Sequence, residues 1–233
     1  MTHKKYLGAM IAAIFALPLG LASPALANDQ GTFAGFYVGL GGAQLNEGKT
    51  SNNAPDPIAF DFSMNGGYVS ALAGYRLQNG AFVFGAELDG NFGSAEDSQR
   101  VTDAFFTYDG QVGIGDITSL RAQFGYTPTE NTLLFASVGA ANVQLAARLF
   151  VSSPFLGPAS PFTAIDARGN ESGFIYGVGG EYAWGEHWRA RLEYSRLTID
   201  EFPFQQAEPF GPTQTFNAKA NGNLFRATLN YQF

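Results

Sequence analysis

The sequence of 233 residues contains no cysteine and only two histidines, and these shortages narrow the chemistry open to the protein. Without cysteine there is no disulfide framework and no thiolate ligand for a metal. General acid–base catalysis at neutral pH relies most often on histidine. His3 lies at the N-terminus and His187 falls in a short predicted turn. Neither position favours a catalytic base, so the sequence predicts a protein that is not an enzyme.

Basic residues are scarce, and long apolar runs are missing after the N-terminal segment. The chain has 13 Lys and Arg against 20 Asp and Glu, which gives a net charge of −7. Nucleic-acid binding requires basic patches, so an acidic chain argues against that partner. No segment after residue 27 has the continuous apolar run of a transmembrane helix.

Residues 1–27 have the features of a cleaved secretory signal peptide. Lys4 and Lys5 precede an apolar run that extends from residue 7 to residue 21, and Ala25-Leu26-Ala27 forms a small-x-small cleavage site. Cleavage leaves residues 28–233 as the mature domain. That domain has 11 basic and 20 acidic residues, a net charge of −9.

What the chain does have is a period-two alternation of apolar and polar residues, clearest in Leu224–Phe233. Its odd positions are apolar and its even positions are polar apart from Leu224, so a strand would have one apolar and one polar face. Seven earlier segments alternate in the same way. Residues 132–145 are ambiguous in phase, and we expect Leu134, Ala136, Val138 and Ala140 to face outward.

The connections between these segments alternate in length. Four long polar stretches, residues 46–63, 93–113, 146–172 and 200–222, are read as loops, and three short turns separate the other strand pairs. Long external loops and short periplasmic turns are typical of outer-membrane barrels. The sequence therefore predicts an all-β fold, an eight-stranded antiparallel up-and-down transmembrane β-barrel. The alternative is a soluble barrel with its apolar face inside.

The polar face carries charges of both signs, and all its basic residues are Arg. Arg can hold two carboxylates in a fixed geometry, and charges removed from water are tolerated when they are paired. We expect an Arg–carboxylate network that fills the lumen, centred on Arg121 with Glu87 and Glu181. The predicted members are Arg76, Glu87, Asp89, Arg121, Glu181, Arg191, Glu193 and Arg226. A water-filled lumen with separately hydrated charges is the alternative.

Several short motifs, taken in order, resemble one family of barrels. They are Gly35-Phe36-Tyr37-Val38-Gly39, Phe84-Gly85-Ala86-Glu87, Gly179-Gly180-Glu181-Tyr182, Arg191-Leu192-Glu193-Tyr194 and Asn230-Tyr231-Gln232-Phe233. The chain is similar to the small outer-membrane immunogenic or opacity-type porins, which are related to the OmpA-like barrel. The chain departs from the family pattern at Phe33-Ala34 and at Gln123, where Trp-Thr or Trp-Ser and a second Arg are common.

This resemblance implies an outer-membrane location in a Gram-negative cell, with outer-membrane lipids as surroundings, but no single shared activity. Tyr231 and Phe233 resemble the signal that the outer-membrane insertion machinery reads. No cofactor is expected. The acidic group Glu96, Asp97, Asp103 and Asp109 could hold a divalent cation, but we interpret it as a solvated loop.

We therefore predict a non-enzymatic barrel with a structural or surface-interaction role. Its candidate contact residues in the long loops are aromatic, because clustered exposed apolar groups often mark interaction sites: Phe155, Phe162, Phe204 and Phe210. These side chains could instead pack on one another and cap the barrel. A narrow passive porin is the second hypothesis for the function, and a lipid-modifying outer-membrane enzyme is the third.

Overall fold

The chain forms a closed ring of eight antiparallel strands in a computed structural model, which describes residues 31–52, 61–153, 155, 162–206 and 214–233. The strands are β1 Gly35–Asn52, β2 Asp61–Asn79, β3 Phe82–Thr102, β4 Thr107–Thr129, β5 Thr132–Ser152, β6 Phe162–Trp184, β7 Trp188–Gln206 and β8 Gln214–Gln232. Each strand pairs with the next, and β1 pairs with β8. The predicted eight-stranded barrel is confirmed, while the predicted signal peptide lies outside the described residues.

Tight turns join the strands at one end of the barrel, as the sequence predicted. Gly80 follows β2 with φ of 60° and Gly185 follows β6 with φ of 65°, both in the left-handed region that favours glycine. The termini of the barrel lie at this same end, because Tyr37 of β1 pairs with Gln232 of β8. We call it the turn end and the opposite one the outer end. No helix in the described part of the chain is long and apolar enough to cross a membrane.

A band of large apolar side chains covers the outward face of the strands near the turn end. Leu40 is 67% exposed and Val69 is 64% exposed, whereas the charged side chains of the same segments are buried inside. Members of the band come from every strand: Phe36, Leu40, Val69, Phe84, Leu120, Leu134, Val138, Phe174, Leu192, Phe225 and Leu229. This arrangement is what a bilayer requires of a spanning barrel, and it rules out the inverted, soluble reading.

The strands continue well beyond this band, which corrects the prediction of four long loops. Residues 93–102 and 107–113 belong to β3 and β4, so the second predicted loop shrinks to a turn at residues 103–106. The other three predicted loops also lose much of their length to strands. With 18 to 23 residues, the strands are about twice the 9–11 residues that a tilted transmembrane strand needs. We call the part beyond the band the outer extension.

The extension was not predicted from the sequence because, on leaving the band, the apolar side chains change from the outward to the inward face. Within the band, Leu120 of β4 points outward and Arg121 points inward. Further along the same strand, Ile114 is buried and Gln111 is exposed. A β-bulge between Ile114 and Ile117 marks the change. A strand surrounded by water has apolar side chains facing inward and polar side chains facing outward. The polar side chains of these segments led to the prediction of loops.

The interior of the barrel has three main layers along its axis, and a further small apolar cluster of Phe62, Leu149 and Val151 lies in the outer extension. A small apolar group, the turn-end layer, contains Phe33, Val83, Leu133, Phe135 and Ala183. The charged residues follow, and we call them the charge layer. Above them a larger apolar group fills the lumen, the outer apolar layer: Leu45, Met64, Tyr68, Ile114, Ile117, Val143, Ile175, Leu197, Ile199 and Leu224 are its main members.

The same layering explains why β5 was ambiguous in phase. Leu133 and Phe135 are buried in the turn-end layer and Val143 in the outer apolar layer, so apolar residues occur on both faces of the strand. Leu134 is 52% exposed and Val138 is 44% exposed. Ala136 and Ala140 are exposed as well, which confirms the phase that we preferred.

Candidate functional site: the charge layer of the lumen

The charge layer contains equal numbers of positive and negative side chains, and all eight are buried. Its members come from six strands, because inward positions of a strand recur every second residue. Each is at most 2% exposed: Arg76, Glu87, Asp89, Arg121, Glu181, Arg191, Glu193 and Arg226. The sequence predicted these eight residues as lumen members, and all eight lie in the interior.

Arg121 is shared among three carboxylates from two strands. Its Nη2 donates to Glu87 Oε1 at 2.9 Å and its Nε donates to Asp89 Oδ2 at 2.8 Å. Its Nη1 donates to Glu193 Oε1. The fork of a guanidinium allows these three directions at once, which a Lys ammonium on a flexible stem would not hold in a fixed geometry.

Glu87 is the acceptor on which most donors converge. It receives hydrogen bonds from Arg121, from Arg191 and, at 3.0 Å, from Arg226 Nη2. The hydroxyl of Tyr37 donates at 2.7 Å and the amide of Gln123 at 2.9 Å to the same carboxylate. Donors from five residues surround this one buried carboxylate and stabilise its charged form.

Glu193 is held in a similar way on the opposite side of the lumen. Arg191 Nη2 and Arg226 Nη2 each donate to its Oε2 at 2.6 Å. The hydroxyls of Ser137 and Ser195 donate to its Oε1 at 3.1 and 3.0 Å. Arg226 also lies 3.0 Å from Asp89, so a single Arg spans three acids of the layer.

Glu181 forms a separate pair, and this corrects the predicted centre of the network. The expectation grouped Glu181 with Arg121, but its partner is Arg76, through two parallel bonds of 2.9 and 3.0 Å. The amide of Asn230 donates to the same carboxylate at 3.2 Å. The guanidinium of Arg76 also lies 4.1 Å from the ring centre of Tyr37. Sequence parity gives the face of each residue but not which inward residues meet across the lumen.

Uncharged polar residues that were not predicted as lumen members complete the charge layer. Tyr37 of β1 is 1% exposed, and its hydroxyl donates to Glu87. Gln123 bridges Glu87 and Arg76, because its amide N–H donates to Glu87 and its amide oxygen accepts from Arg76 Nε. The available signal was their inward parity, combined with the rule that buried charges need additional hydrogen bonds.

Below the charge layer, the segment before β1 enters the mouth of the barrel at the turn end. Phe33 is fully buried in the turn-end layer, and its backbone N–H donates to Gln78 Oε1 at 3.0 Å. Arg189 donates to the backbone oxygen of Thr32 and lies 5.8 Å from the ring centre of Phe33. Arg189 therefore belongs to this closure and not to the charge layer.

The residues predicted for assembly lie on the outward face where the barrel closes. Phe233 is 59% exposed, and its N–H donates to the backbone oxygen of Phe36 at 2.9 Å. The ring centre of Tyr231 lies 5.3 Å from that of Phe233 and 5.2 Å from that of Trp188. The three rings form one aromatic patch at the turn end.

Of the predicted loop aromatics, the structure describes the side chain of Phe155 alone. Phe155 is 76% exposed, and its ring centre lies 6.1 Å from that of Phe105, which is 60% exposed. Phe105 lies two residues after Asp103 in the β3–β4 turn. It was not among the predicted contact residues. Phe162 and Phe204 lie in strands, but their side chains, like all of Phe210, are outside the described residues.

Three of the four acidic residues considered above for a divalent cation make hydrogen bonds or ion pairs within the protein. Asp103 accepts the N–H groups of Phe105 and Phe106 at 2.7 Å and so shapes the turn, and Asp109 pairs with Arg100. Asp97 accepts the N–H of Ser63 at 2.8 Å. Within the described ranges, no group of three or more His, Cys, Asp or Glu is arranged to hold a metal ion.

The outward apolar band, the closed strand ring and the buried charges together define a transmembrane β-barrel of the outer-membrane type. The chain belongs to the family described as "Outer membrane protein beta-barrel domain", whose model matches residues 13–233. It is an outer-membrane protein of the Gram-negative type, as its relatives also indicate.

Two relatives illustrate the match. The 31 kDa outer-membrane immunogenic protein of Brucella melitensis is 25% identical over 210 residues, which cover 87% of this chain and 83% of the relative. The crystal structure of OprG from Pseudomonas aeruginosa superposes with a TM-score of 0.54 at 12% identity, covering 88% of this chain and 99% of OprG. At that identity the likeness to OprG shows the fold alone.

Proposed function

We propose that the protein is a sealed, non-conducting and non-enzymatic barrel that anchors an extracellular contact surface. The observation that carries this proposal is the filled lumen. The charge layer lies between two apolar layers, and its charges are all turned toward one another. The interior of an eight-stranded barrel is narrow enough for side chains to fill, and we therefore assign no pore to this protein.

The outer extension supports the second half of the proposal. Its strands continue the hydrogen-bonding ladders of the barrel, so the turn between β3 and β4 is carried on a stiff ribbon. At the tip of that ribbon, Phe105 exposes its ring beside that of Phe155, which follows the end of the neighbouring strand β5. Exposed aromatic clusters mark interaction sites more often than isolated ones do, and a rigid support lowers the entropy cost of a contact.

The closed lumen is tested by recording conductance in planar bilayers. The refolded wild-type protein should produce no stepwise conductance at moderate voltage, because water and ions meet the outer apolar layer before they reach the charges. A larger porin, inserted in parallel, serves as the positive control. Regular wild-type conductance steps would refute the sealed barrel and favour the passive porin.

The contact surface is tested by cell-surface adhesion of cells that display the protein. The double variant Phe105→Ser and Phe155→Ser should lower adhesion, while Phe150→Ser, on the same extension below the tip, should not. Both variants must reach the surface in folded form in equal amounts. If the tip variant adheres as well as the wild type does, the proposed aromatic contact is wrong.

A further inference from the structure

The outward face of the outer extension has a groove that the sealed-barrel proposal does not use. It is formed by four neighbouring strands, β3 to β6, and has a volume of about 850 Å³. We call it the outer groove. Its side chains lie in cross-strand rows, such as Glu96–Gly113–Ala146–Arg168 and Ser98–Gln111–Arg148, because these residues are paired in register.

The groove is concave because residues with little or no side chain form its floor. Gly113, Gly115 and Ala146 lie in the middle of the rows, and longer side chains stand around them. A Cβ atom added at Gly115 would lie 3.2 Å from Gln144 Cβ, and one at Gly113 would lie 3.3 Å from Glu96 Cγ. The volume falls within the range of ordinary ligand sites.

One edge of the groove carries an excess of positive charge. Arg148 Nε lies 3.4 Å and Arg168 Nε lies 4.0 Å from the same oxygen, Asp166 Oδ1. One carboxylate therefore neutralises only one of the two guanidinium groups, and both side chains are partly exposed. Arg is well suited to phosphate, because its planar fork can donate two parallel hydrogen bonds to phosphate oxygens.

The remaining groups on the rim of the groove are neutral amides, hydroxyls and one outward acid. Gln111, Gln144 and Asn170 provide both donors and acceptors, and Glu96 provides acceptors at the edge opposite the arginines. Among the described residues that line the groove, none is aromatic. Such a mixture matches a ligand with many hydroxyl groups and a localised negative charge.

The level of the groove indicates where that ligand comes from. The apolar band starts a few residues below it, with Leu120 on β4 and Phe174 on β6, which are 62% and 51% exposed. On β6 a single outward position, Ser172, separates Asn170 from Phe174 of the band. A lipid whose chains cover the band would bring its headgroup to the height of the groove.

We propose that the outer groove binds the phosphorylated saccharide headgroup of an outer-leaflet glycolipid. The phosphate lies between Arg148 and Arg168, and the sugar hydroxyl groups face Gln111, Gln144 and the acidic edge. The acyl chains of the same lipid lie along the apolar band. This inference uses only the outer-membrane location, and it holds whether or not the tip aromatics make an adhesive contact.

The test is a binding measurement on the refolded full-length barrel in detergent, with lipopolysaccharide as the probe. Bound lipid is counted by native mass spectrometry over a series of lipid concentrations. The double variant Arg148→Gln and Arg168→Gln should weaken binding by about tenfold or more. The matched control is Arg100→Gln, which removes an exposed Arg of the same extension that does not line the groove.

Two further arms identify the headgroup and the site. Enzymatically dephosphorylated lipopolysaccharide and phosphatidylglycerol should both bind the wild type more weakly than intact lipopolysaccharide does. Ala146→Phe, which fills the groove without a change in charge, should weaken binding as the double variant does. Each variant is first checked for the folded, faster-migrating form in an unheated gel.

Four results would overturn the proposal. Wild-type affinity in the Gln double variant or in Ala146→Phe would show that the groove is not the site. An equal loss in Arg100→Gln would reduce the effect to general electrostatics. Equal binding of dephosphorylated lipid would exclude phosphate recognition, and equal binding of phosphatidylglycerol would exclude recognition of the saccharide.

Discussion

At the scale of single residues, the two parts of the charge layer differ in how well they tolerate the loss of one Arg. Glu87 and Glu193 each contact three guanidinium groups, so removing Arg121 leaves both with two. Glu181 is different, since Arg76 is its one ion-pair partner among the described residues. The bidentate pair should therefore be the more sensitive point.

The first prediction is that Arg76→Ala destabilises the barrel by about 3–5 kcal/mol, because it leaves a buried carboxylate without a cation. Arg121→Ala should cost less, since every acid it contacts keeps another Arg. The measurement is urea unfolding of the refolded protein in detergent. The double variant Arg76→Ala and Glu181→Ala should regain part of the loss. A double variant no more stable than Arg76→Ala would argue that the pair is hydrated.

Another residue-scale feature is the close approach of strands at inward glycines. A Cβ atom at Gly41 would lie 1.9 Å from the backbone oxygen of Ala227, across the seam between β1 and β8. The next residue, Gly42, points outward, and a Cβ there would have its nearest neighbour at 3.7 Å. Two adjacent glycines of the same strand therefore differ sharply in the space they have.

We accordingly predict that Gly41→Ala lowers the folded yield and the urea midpoint, because the seam must separate to admit a methyl group. Gly42→Ala should match the wild type or exceed it slightly, since alanine reduces the freedom of the unfolded chain. Both yields are read from gel mobility before and after heating. Equal behaviour of the two variants would mean that the seam can relax at little cost.

At the scale of whole elements, β8 ends in an aromatic patch whose packing is modest. Phe233 is more than half exposed and contacts Tyr231 on the outward face. Its loss removes one ring contact and one backbone hydrogen bond to Phe36. The energy at stake within the folded barrel is therefore small.

The third prediction concerns deletion of Phe233, which we propose acts as part of the signal for the insertion machinery. Folded yield in cells should fall several-fold, while refolding into detergent micelles should fall much less, since only modest packing is lost. Deletion of Gly31, in the segment before β1, provides a length-matched control at the other end of the described chain. Equal losses in cells and in micelles would leave Phe233 as a packing residue only.

The strands also show which parts of the fold could be predicted from the sequence. Eight strands could be predicted because Phe84, Leu120 and Phe225 alternate with polar neighbours throughout the band. The extensions could not, because their apolar residues, such as Ile114 and Leu149, face inward within segments that are polar overall. Inward placement of Arg76 and Glu181 follows from parity, whereas their mutual pairing depends on the width and stagger of the closed barrel.

At the scale of the whole molecule, the three interior layers separate the lumen from water at both ends. The absence of cysteine makes this testable, because any introduced thiol is unique. Ser137 is 4% exposed and bonded to Glu193 in the charge layer, while Ser98 is exposed on the outer extension. The two serines report on the inside and the outside of the same barrel.

The fourth prediction is that a charged, membrane-impermeant thiol reagent modifies Ser98→Cys rapidly and leaves Ser137→Cys unmodified in the folded barrel. Urea should expose both thiols equally. The extent of reaction is followed by mass spectrometry of the intact chain. Rapid modification of Ser137→Cys in the folded state would show that water and small ions enter the lumen, and would revive the passive porin.

The ion pairs that cross the lumen also bear on the order in which the chain assembles. Arg76 and Glu181 are 105 residues apart, and Arg226 lies 139 residues from Glu87. Hairpins that form early bring together only neighbouring strands, such as β3 and β4 with Glu87 and Arg121, or β7 and β8 with Glu193 and Arg226. The charges of Arg76 and Glu181 stay unpaired until their distant strands meet. Completion of the ring is then the step that removes the free-energy cost of these unpaired charges. Contacts this remote in sequence make folding slow and cooperative. The complete charge layer therefore stabilises only the fully closed barrel.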